Sequence, residues 1–146
     1  TNYSLNYART GAKVFTGTIT AILLGTLIWT IVVLAPFLHV TIDIKTTEST
    51  VNVSSCGYTS SINIDDIIEL KLMDKLPDDH FFKSNGGATE SYLVGRFKGN
   101  TYGKCSLYIF KDVSPVLMIK TADQTVFLNS KKDGEIVNLY NAIKNE

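Results

Sequence analysis

The residues best suited to bind a ligand form a basic cluster in the second half of the chain. Arg96, Lys98 and Lys104 fall within nine positions, and Tyr102 lies among them. Cations beside an aromatic ring can contact lipid headgroups or an acidic partner, and each basic group near an anionic surface contributes about 1 kcal/mol. We therefore predict Arg96, Lys98, Tyr102 and Lys104 as a partner-binding surface.

Glycines recur every four residues through the same cluster, at positions 95, 99 and 103. This spacing differs from that of a phosphate-binding loop, in which Gly-x-x-x-x-Gly-Lys-Ser/Thr joins a strand to a helix. Tight turns and a solvated strand face use the same glycines and cations. That structural interpretation stays open beside the binding surface.

The residues that could bind a metal or catalyse a reaction are few. Neither His39 nor His80 has a cysteine or a second histidine at ligand spacing, so a zinc site lacks ligands. Asp78-Asp79-His80 indicates an exposed polar turn, with a metal-touching group as the weaker alternative. Nucleophilic catalysis needs an activated Ser, Cys or Thr, and no Gly-x-Ser-x-Gly turn is present. We expect no catalytic, metal or cofactor site, and an enzyme is the remote alternative.

The two cysteines, Cys56 and Cys105, lie in different predicted elements. Two cysteines in 146 residues are too few for a disulfide framework. Cys105 shares a predicted strand face with Leu107 and Ile109, which indicates packing in a core. We expect free thiols, and a disulfide only if the domain faces an oxidising compartment.

Charged residues are distributed unevenly, although 14 basic and 14 acidic side chains give a net charge of 0. Arg9 and Lys13 are the only charged side chains before Asp43. Residues 14–38 carry no charge, and they outnumber the roughly 20 apolar residues that a bilayer-spanning helix needs. We predict a transmembrane helix over residues 14–38, ended or kinked by Pro36, with a buried core helix as the alternative. The charge balance also excludes a basic nucleic-acid-binding protein.

The orientation and packing of this helix are only partly indicated. Two basic residues precede it and Lys45 follows, which weakly favours a cytoplasmic N-terminus. Free thiols favour a cytoplasmic domain instead, so the side of the membrane on which the domain lies stays open. Gly17, Ala21 and Gly25 lie four apart on one helix face and predict a transmembrane packing face. Small residues without a packing role are the alternative.

After the apolar segment, polar and apolar residues alternate, as is typical of half-buried strands. Clusters of turn residues separate the alternating stretches, and residues 83–87 indicate a flexible loop. A turn at Ala122-Asp123 joins the last two stretches. We predict seven strands, near residues 50–54, 60–64, 67–73, 92–97, 105–110, 116–121 and 125–129.

The last segment has the period of a helix instead. Its apolar stripe consists of Ile136, Leu139, Tyr140 and Ile143. Ser130 with Asp133 three residues later resembles a capping box. The predicted organisation is an N-terminal flank (1–13), a transmembrane helix (14–38), a linker or first-strand region (39–48) and a mainly β domain (49–146). That domain is a seven-stranded antiparallel barrel or sandwich capped by a helix over about residues 131–145.

Several short motifs resemble a known family. They are Gly95-Arg96-Phe97, Tyr102-Gly103-Lys104-Cys105 and Ile119-Lys120-Thr121. Together with the order of elements, they resemble the small bacterial pleckstrin-homology-like (PH-like) domain family over residues 45–145. The resemblance implies a PH-like barrel, which in this family often follows one or more membrane helices. Some membrane-anchored members resemble bacteriocin immunity proteins, which protect a producing cell from its own peptide.

The first hairpin of the domain bears on its ligand. Pleckstrin domains that bind inositol phospholipids use basic residues there, whereas residues 53–61 contain no Lys or Arg. We therefore expect a membrane-anchored, non-enzymatic binding protein whose partner is an antimicrobial peptide or another membrane protein, with no nucleic acid. The alternative is a structural or assembly module at the membrane that oligomerises through its PH-like domain.

Overall fold

The chain folds as two units, which divide between residues 39 and 40. The computed structural model describes residues 9–145, so residues 1–8 of the predicted N-terminal flank and residue 146 lie outside the described residues. Helix α1 spans Thr10–Leu34 and continues as a 3₁₀ helix over Ala35–Phe37. The α-helix thus ends two residues before Pro36, whose missing amide hydrogen disfavours its continuation.

Helix α1 is long and apolar enough, by length and composition, to cross a membrane. Its 25 residues rise about 37 Å, which exceeds a hydrocarbon core of about 30 Å. The hydroxyls of Thr18, Thr26 and Thr30 donate to helix carbonyls three or four residues earlier, at 2.8–2.9 Å. These intrahelical bonds lower the cost of placing the hydroxyls in an apolar medium.

Within residues 40–145, the second unit has nine strands and one α-helix. The strands are β1 (Asp43–Thr46), β2 (Thr50–Ser55), β3 (Tyr58–Asn63), β4 (Glu69–Met73), β5 (Phe82–Ala88), β6 (Tyr92–Gly99), β7 (Gly103–Phe110), β8 (Val116–Lys120) and β9 (Thr125–Leu128), and helix α2 spans Glu135–Lys144. One sheet has the order β1-β2-β3 and the other β4-β8-β9-β7-β6-β5. The prediction of a mainly β domain closed by a C-terminal helix is confirmed, with nine strands in place of seven.

Neighbouring strands pair antiparallel, apart from β7 and β9, which pair in parallel. The β2–β3 hairpin turns through Cys56 and Gly57, whose φ angles are +50° and +81°. A two-residue turn with positive φ at both positions matches the right-handed twist of its strands. The β8–β9 hairpin turns at Ala122-Asp123, as predicted, and the Thr121 amide donates to the Gln124 carbonyl at 2.9 Å.

Both faces of the central strands β7, β8 and β9 of the six-stranded sheet are buried. On one face, β2 and β3, together with α2, pack against it, and Val53, Tyr108 and Leu139 belong to the same apolar cluster. On the other face, Leu76 and Phe81 of the β4–β5 connection pack with residues such as Phe97, Met118 and Phe127. Every residue from Cys105 to Phe110 in β7 is consequently buried.

The prediction of a flexible loop over residues 83–87 is wrong, because these residues belong to β5. This strand lies at a sheet edge and has no fully buried side chain, so no apolar alternation marks it. Gly86 lies opposite Gly95 in the β5–β6 register. A Cβ atom at Gly86 would lie 2.2 Å from the Val94 carbonyl oxygen. The glycine pair therefore lets two strands approach closely.

Helix α2 has the predicted apolar stripe, with Ile136, Leu139 and Ile143 buried. The prediction that Asp133 completes a capping box is wrong, because the helix begins at Glu135 after Gly134. The Ser130 hydroxyl donates to the Glu135 carboxylate instead.

Candidate functional site

Strands β6 and β7 bring three of the predicted surface residues together. Lys98 lies directly opposite Lys104 in the antiparallel register, and Arg96 lies opposite Ser106. Because side chains alternate along a strand, these residues share the sheet face of Tyr108. Arg96, Lys98 and Lys104 are exposed, and we call these three residues the basic cluster.

Tyr102 lies apart from the basic cluster. Its ring packs edge-on against Phe127, with centroids 5.1 Å apart and planes inclined by 85°. Phe127 belongs to the apolar cluster on the opposite face of the six-stranded sheet. Aromatic pairs in this geometry contribute about 0.5–1.5 kcal/mol beyond their buried area. Tyr102 therefore has a packing role, and the structure does not bring it together with the three cations.

Two members of the basic cluster line a groove of ≈ 440 Å³. Strands β3, β6 and β7 and the β8–β9 turn provide most of its walls. Its polar lining includes Ser60, Arg96, Lys104, Ser106, Asp123 and Gln124. Ligand sites in proteins commonly measure about 300–1,000 Å³, so this polar groove is large enough for a small ligand or one end of a larger one.

Ser60, which lines the polar groove, is hydrogen-bonded to the buried Tyr108. Ser60 Oγ and the Tyr108 hydroxyl oxygen are 2.9 Å apart. Burial raises the pKa of Tyr108, while the hydrogen bond between Tyr108 and Ser60 and the positive charge of Arg96 act in the opposite direction.

Ser106 places a further hydroxyl in the polar groove. Ser106 is only 8% exposed, and its hydroxyl makes no hydrogen bond within residues 9–145. Ser106 Oγ is not among the side-chain atoms that are both shielded from solvent and without a hydrogen bond, so it is open to the groove. It can therefore donate to an acceptor that enters the groove.

The cations of the basic cluster form no ion pair in the part of the chain that the structure describes. The ion pairs found there join Glu69 to Lys71 and Lys120, and Glu135 to Lys132. Like charges that face each other on neighbouring strands repel. The Lys98–Lys104 pair is therefore an unfavourable arrangement unless an anion comes near it.

The aspartate and histidine residues singled out for metal chemistry have other surroundings. Asp79 accepts a hydrogen bond from the Thr101 amide at 3.1 Å, which holds the β4–β5 connection against the β6–β7 hairpin. His39 and His80 are exposed. Among residues 9–145, no group of three His, Cys, Asp or Glu side chains is placed to hold a metal ion.

Cys56 and Cys105 are not joined by a disulfide and lie in different environments. Cys105 is 4% exposed and belongs to the apolar cluster around Phe127, which confirms its predicted position in the core. Burial raises the pKa of Cys105 to about 11. Cys56 lies in the β2–β3 turn and is half-buried.

We expect the thiol reagent iodoacetamide to modify Cys56 much faster than Cys105 in the folded protein. The thiolate is the reactive form, and at pH 8 a thiol with a pKa of about 11 is ionised in about one molecule per thousand. Mass spectrometry should find one rapid modification per folded chain and two after denaturation. A Cys56→Ser variant should lack the rapid one, and equal rates at both thiols would contradict the buried position of Cys105.

The predicted packing face of α1 lies along an exposed helix. Ala21 is exposed, and a Cβ atom at Gly17 or Gly25 would have no neighbour within 4 Å. The face is thus open to a second helix, and its role in packing stays a prediction.

Sequence reasoning missed Ser60 and Ser106, two of the hydroxyl residues that line the polar groove. One signal was present for Ser106, since it alternates with Tyr108 on a strand otherwise rich in apolar residues. No comparable signal marked Ser60, because its neighbour Tyr108 is 48 residues away in the chain.

Comparison with known proteins agrees with this architecture. Residues 42–142 match the family described as bacterial PH domain, and this match covers more than half of the chain. No curated protein and no solved structure matches the chain. The nine strands and the closing helix α2 lie almost entirely within the matched residues. The chain therefore belongs to the bacterial PH domain family.

Proposed function

We propose that this protein is a membrane-anchored, non-enzymatic binding protein. Helix α1 serves as the anchor and the PH domain as the binding module. The observation that supports binding most directly is the polar groove, where Arg96 and Lys104 have no ion-pair partner within residues 9–145. Unpaired cations beside a buried hydroxyl favour capture of an anionic group.

The anchoring part of the proposal is supported by the surface of α1. The helix has no buried residue in the structure, and large apolar side chains such as Leu23, Trp29 and Val32 are 63%, 68% and 64% exposed. An apolar surface of this extent is unfavourable in water and favourable in a lipid bilayer. The PH domain follows directly in the chain, since β1 begins at Asp43.

The specific form that we propose is self-protection against an antimicrobial peptide. A protein held in the bilayer meets a membrane-active peptide where that peptide acts, and its groove supplies a place to contact either the peptide or the peptide's target. The family resemblance of some anchored members to bacteriocin immunity proteins supports the same function.

The test is the tolerance of a sensitive bacterium that expresses the full chain. We expect a higher minimal inhibitory concentration for one peptide of a panel, because the anchored domain would block its action. The double variant Arg96→Gln/Lys104→Gln should lose the protection. A matched control, Lys75→Gln/Lys111→Gln, removes two exposed cations outside the groove and should keep it. Unchanged sensitivity to every peptide of the panel would contradict the immunity function.

The second candidate is an assembly module. It is favoured by the exposed Gly17, Ala21 and Gly25 face, since small residues let membrane helices approach closely. The two candidates differ in the molar mass of the detergent-solubilised protein. A mass of one chain, 16.1 kDa, plus the micelle counts against assembly, and a stable multiple of it favours assembly.

A further inference from the structure

We propose that the polar groove is a binding site for a single carboxylate group of a peptide, at its C-terminus or on an acidic side chain. The proposal deepens the binding function proposed above and names the group that is recognised. It is carried by three observations on the groove, which concern its cations, the Ser106 hydroxyl and its net charge.

The cations provide the attraction. Arg96 and Lys104 line the groove, and Lys98 lies directly across the strand ladder from Lys104. The repulsion between the two lysines is relieved when an anion lies near them, so the empty arrangement is less favourable than the occupied one. A guanidinium can also donate two parallel hydrogen bonds to one carboxylate, which an ammonium cannot.

The hydroxyl provides a further donor at the right place. Ser106 lies opposite Arg96 in the register, and it is 8% exposed. Among the described residues it has no hydrogen-bond partner for its hydroxyl. A carboxylate offers about four lone-pair sites on two oxygens. It can therefore accept from Arg96, Ser106 and Lys104 together.

The net charge of the lining favours a carboxylate over a phosphate. Asp123 lines the same groove as Arg96 and Lys104, so the lining itself has a net charge of +1, and Lys98, opposite Lys104 on the neighbouring strand, is not part of the lining. A carboxylate matches that charge, whereas a phosphate monoester carries about −1.5 to −2 at pH 7. The first hairpin, residues 53–61, adds no Lys or Arg to the surroundings.

The experiment is an NMR titration of the full chain in zwitterionic detergent micelles. The probe is N-acetylglycine, which ends in a carboxylate, and the matched neutral probe is N-acetylglycinamide. We expect saturable shifts of the Arg96, Ser106 and Gln124 amides with N-acetylglycine and none with N-acetylglycinamide. Arg96→Gln should weaken binding by about 10- to 100-fold, because it removes a charge-assisted hydrogen bond.

Two further variants keep the result interpretable. Arg96→Lys retains the charge but not the two-pronged geometry, and its affinity should fall between those of the wild type and Arg96→Gln. Lys75→Gln removes a cation outside the groove and should bind as the wild type does. Unchanged amide shifts outside the groove show that each variant is folded.

Several outcomes would overturn the carboxylate site. They are equal binding of the amide probe, tighter binding of inorganic phosphate, shifts that appear only with phosphatidylglycerol vesicles, and no saturable shift with any probe. Failure of the proposed function is distinguishable from these. If the protein binds a carboxylate but gives no tolerance to any peptide, the site stands and the immunity function is contradicted. If it gives tolerance but binds no carboxylate, the immunity function stands and the site is contradicted.

Discussion

Replacing Gly95 with alanine is expected to lower the free energy of unfolding of the PH domain by more than about 3 kcal/mol. The new Cβ atom would lie 2.4 Å from the Asn85 carbonyl oxygen and 2.6 Å from the Gly86 Cα atom. Both are backbone atoms, so no side chain can rotate to relieve the contact. The φ of +125° at Gly95 is in addition rare for residues that carry a side chain.

Urea unfolding of the full chain in micelles, followed by the circular dichroism of the strands, would measure this loss. Gly103→Ala is the matched control, because Gly103 also has a positive φ, +65°, but open space around its Cβ position. It should cost about 1–2 kcal/mol from backbone conformation alone. Equal losses in the two variants would show that the β5–β6 contact does not limit stability.

Replacing Asn129 with alanine is expected to cost about 3 kcal/mol or more, because each buried polar group left without a partner costs about 1–3 kcal/mol. Asn129 is fully buried. Its side-chain oxygen accepts from the Phe110 amide at 2.8 Å, and its side-chain nitrogen donates to the Phe110 and Val113 carbonyls, each at 2.8 Å. Alanine would leave all three backbone groups without these bonds.

The same urea unfolding experiment applies to this residue. Asn138→Ala is the control, since Asn138 is exposed on α2 and its replacement should change stability by no more than about 0.5 kcal/mol. Asn129→Asp keeps the shape and the acceptor but loses both donors, so it should also be strongly destabilised. Near-native stability of Asn129→Ala would mean that the β7–β8 connection finds other partners for these groups.

Elements with one buried face were predictable from the sequence. Val51 and Val53 alternate with polar residues because β2 packs one face against the core. The α2 stripe around Leu139 follows the same rule with a helical period. In both cases the spacing of apolar residues along the chain follows the buried face, so the element can be predicted without knowing its distant contacts.

Strand β5 was not predictable, because it lies at a sheet edge with most side chains exposed. The sequence Lys83-Ser84-Asn85-Gly86-Gly87 is equally typical of a loop. What makes it a strand is the close approach of Gly86 to Gly95, a contact between residues of two different strands. Glycine is common both in flexible loops and where two strands approach closely, so only the partner strand distinguishes the two cases.

The candidate site was half predictable for a related reason. The cations Arg96, Lys98 and Lys104 are close in the chain, and one hairpin brings them together. Tyr102 is equally close in the chain but faces the other side of the sheet, against Phe127. Tyr102 can pack there because the six-stranded sheet has an apolar cluster on each face. The alternation of residues within a single strand does not reveal that the second face is also covered.

The position of β9 has a consequence for the order in which the protein is made. β9 is the last strand in the chain, yet it lies between β8 and β7 in the six-stranded sheet. The pair β4–β8 and the group β7-β6-β5 therefore stay unjoined on the ribosome until Leu128 has emerged. Helix α1 ends at Leu34 and is synthesised long before that point. Delivery of the apolar segment to a membrane can thus precede closure of the domain, and the edges of β7 and β8 that β9 later covers stay open until β9 is available.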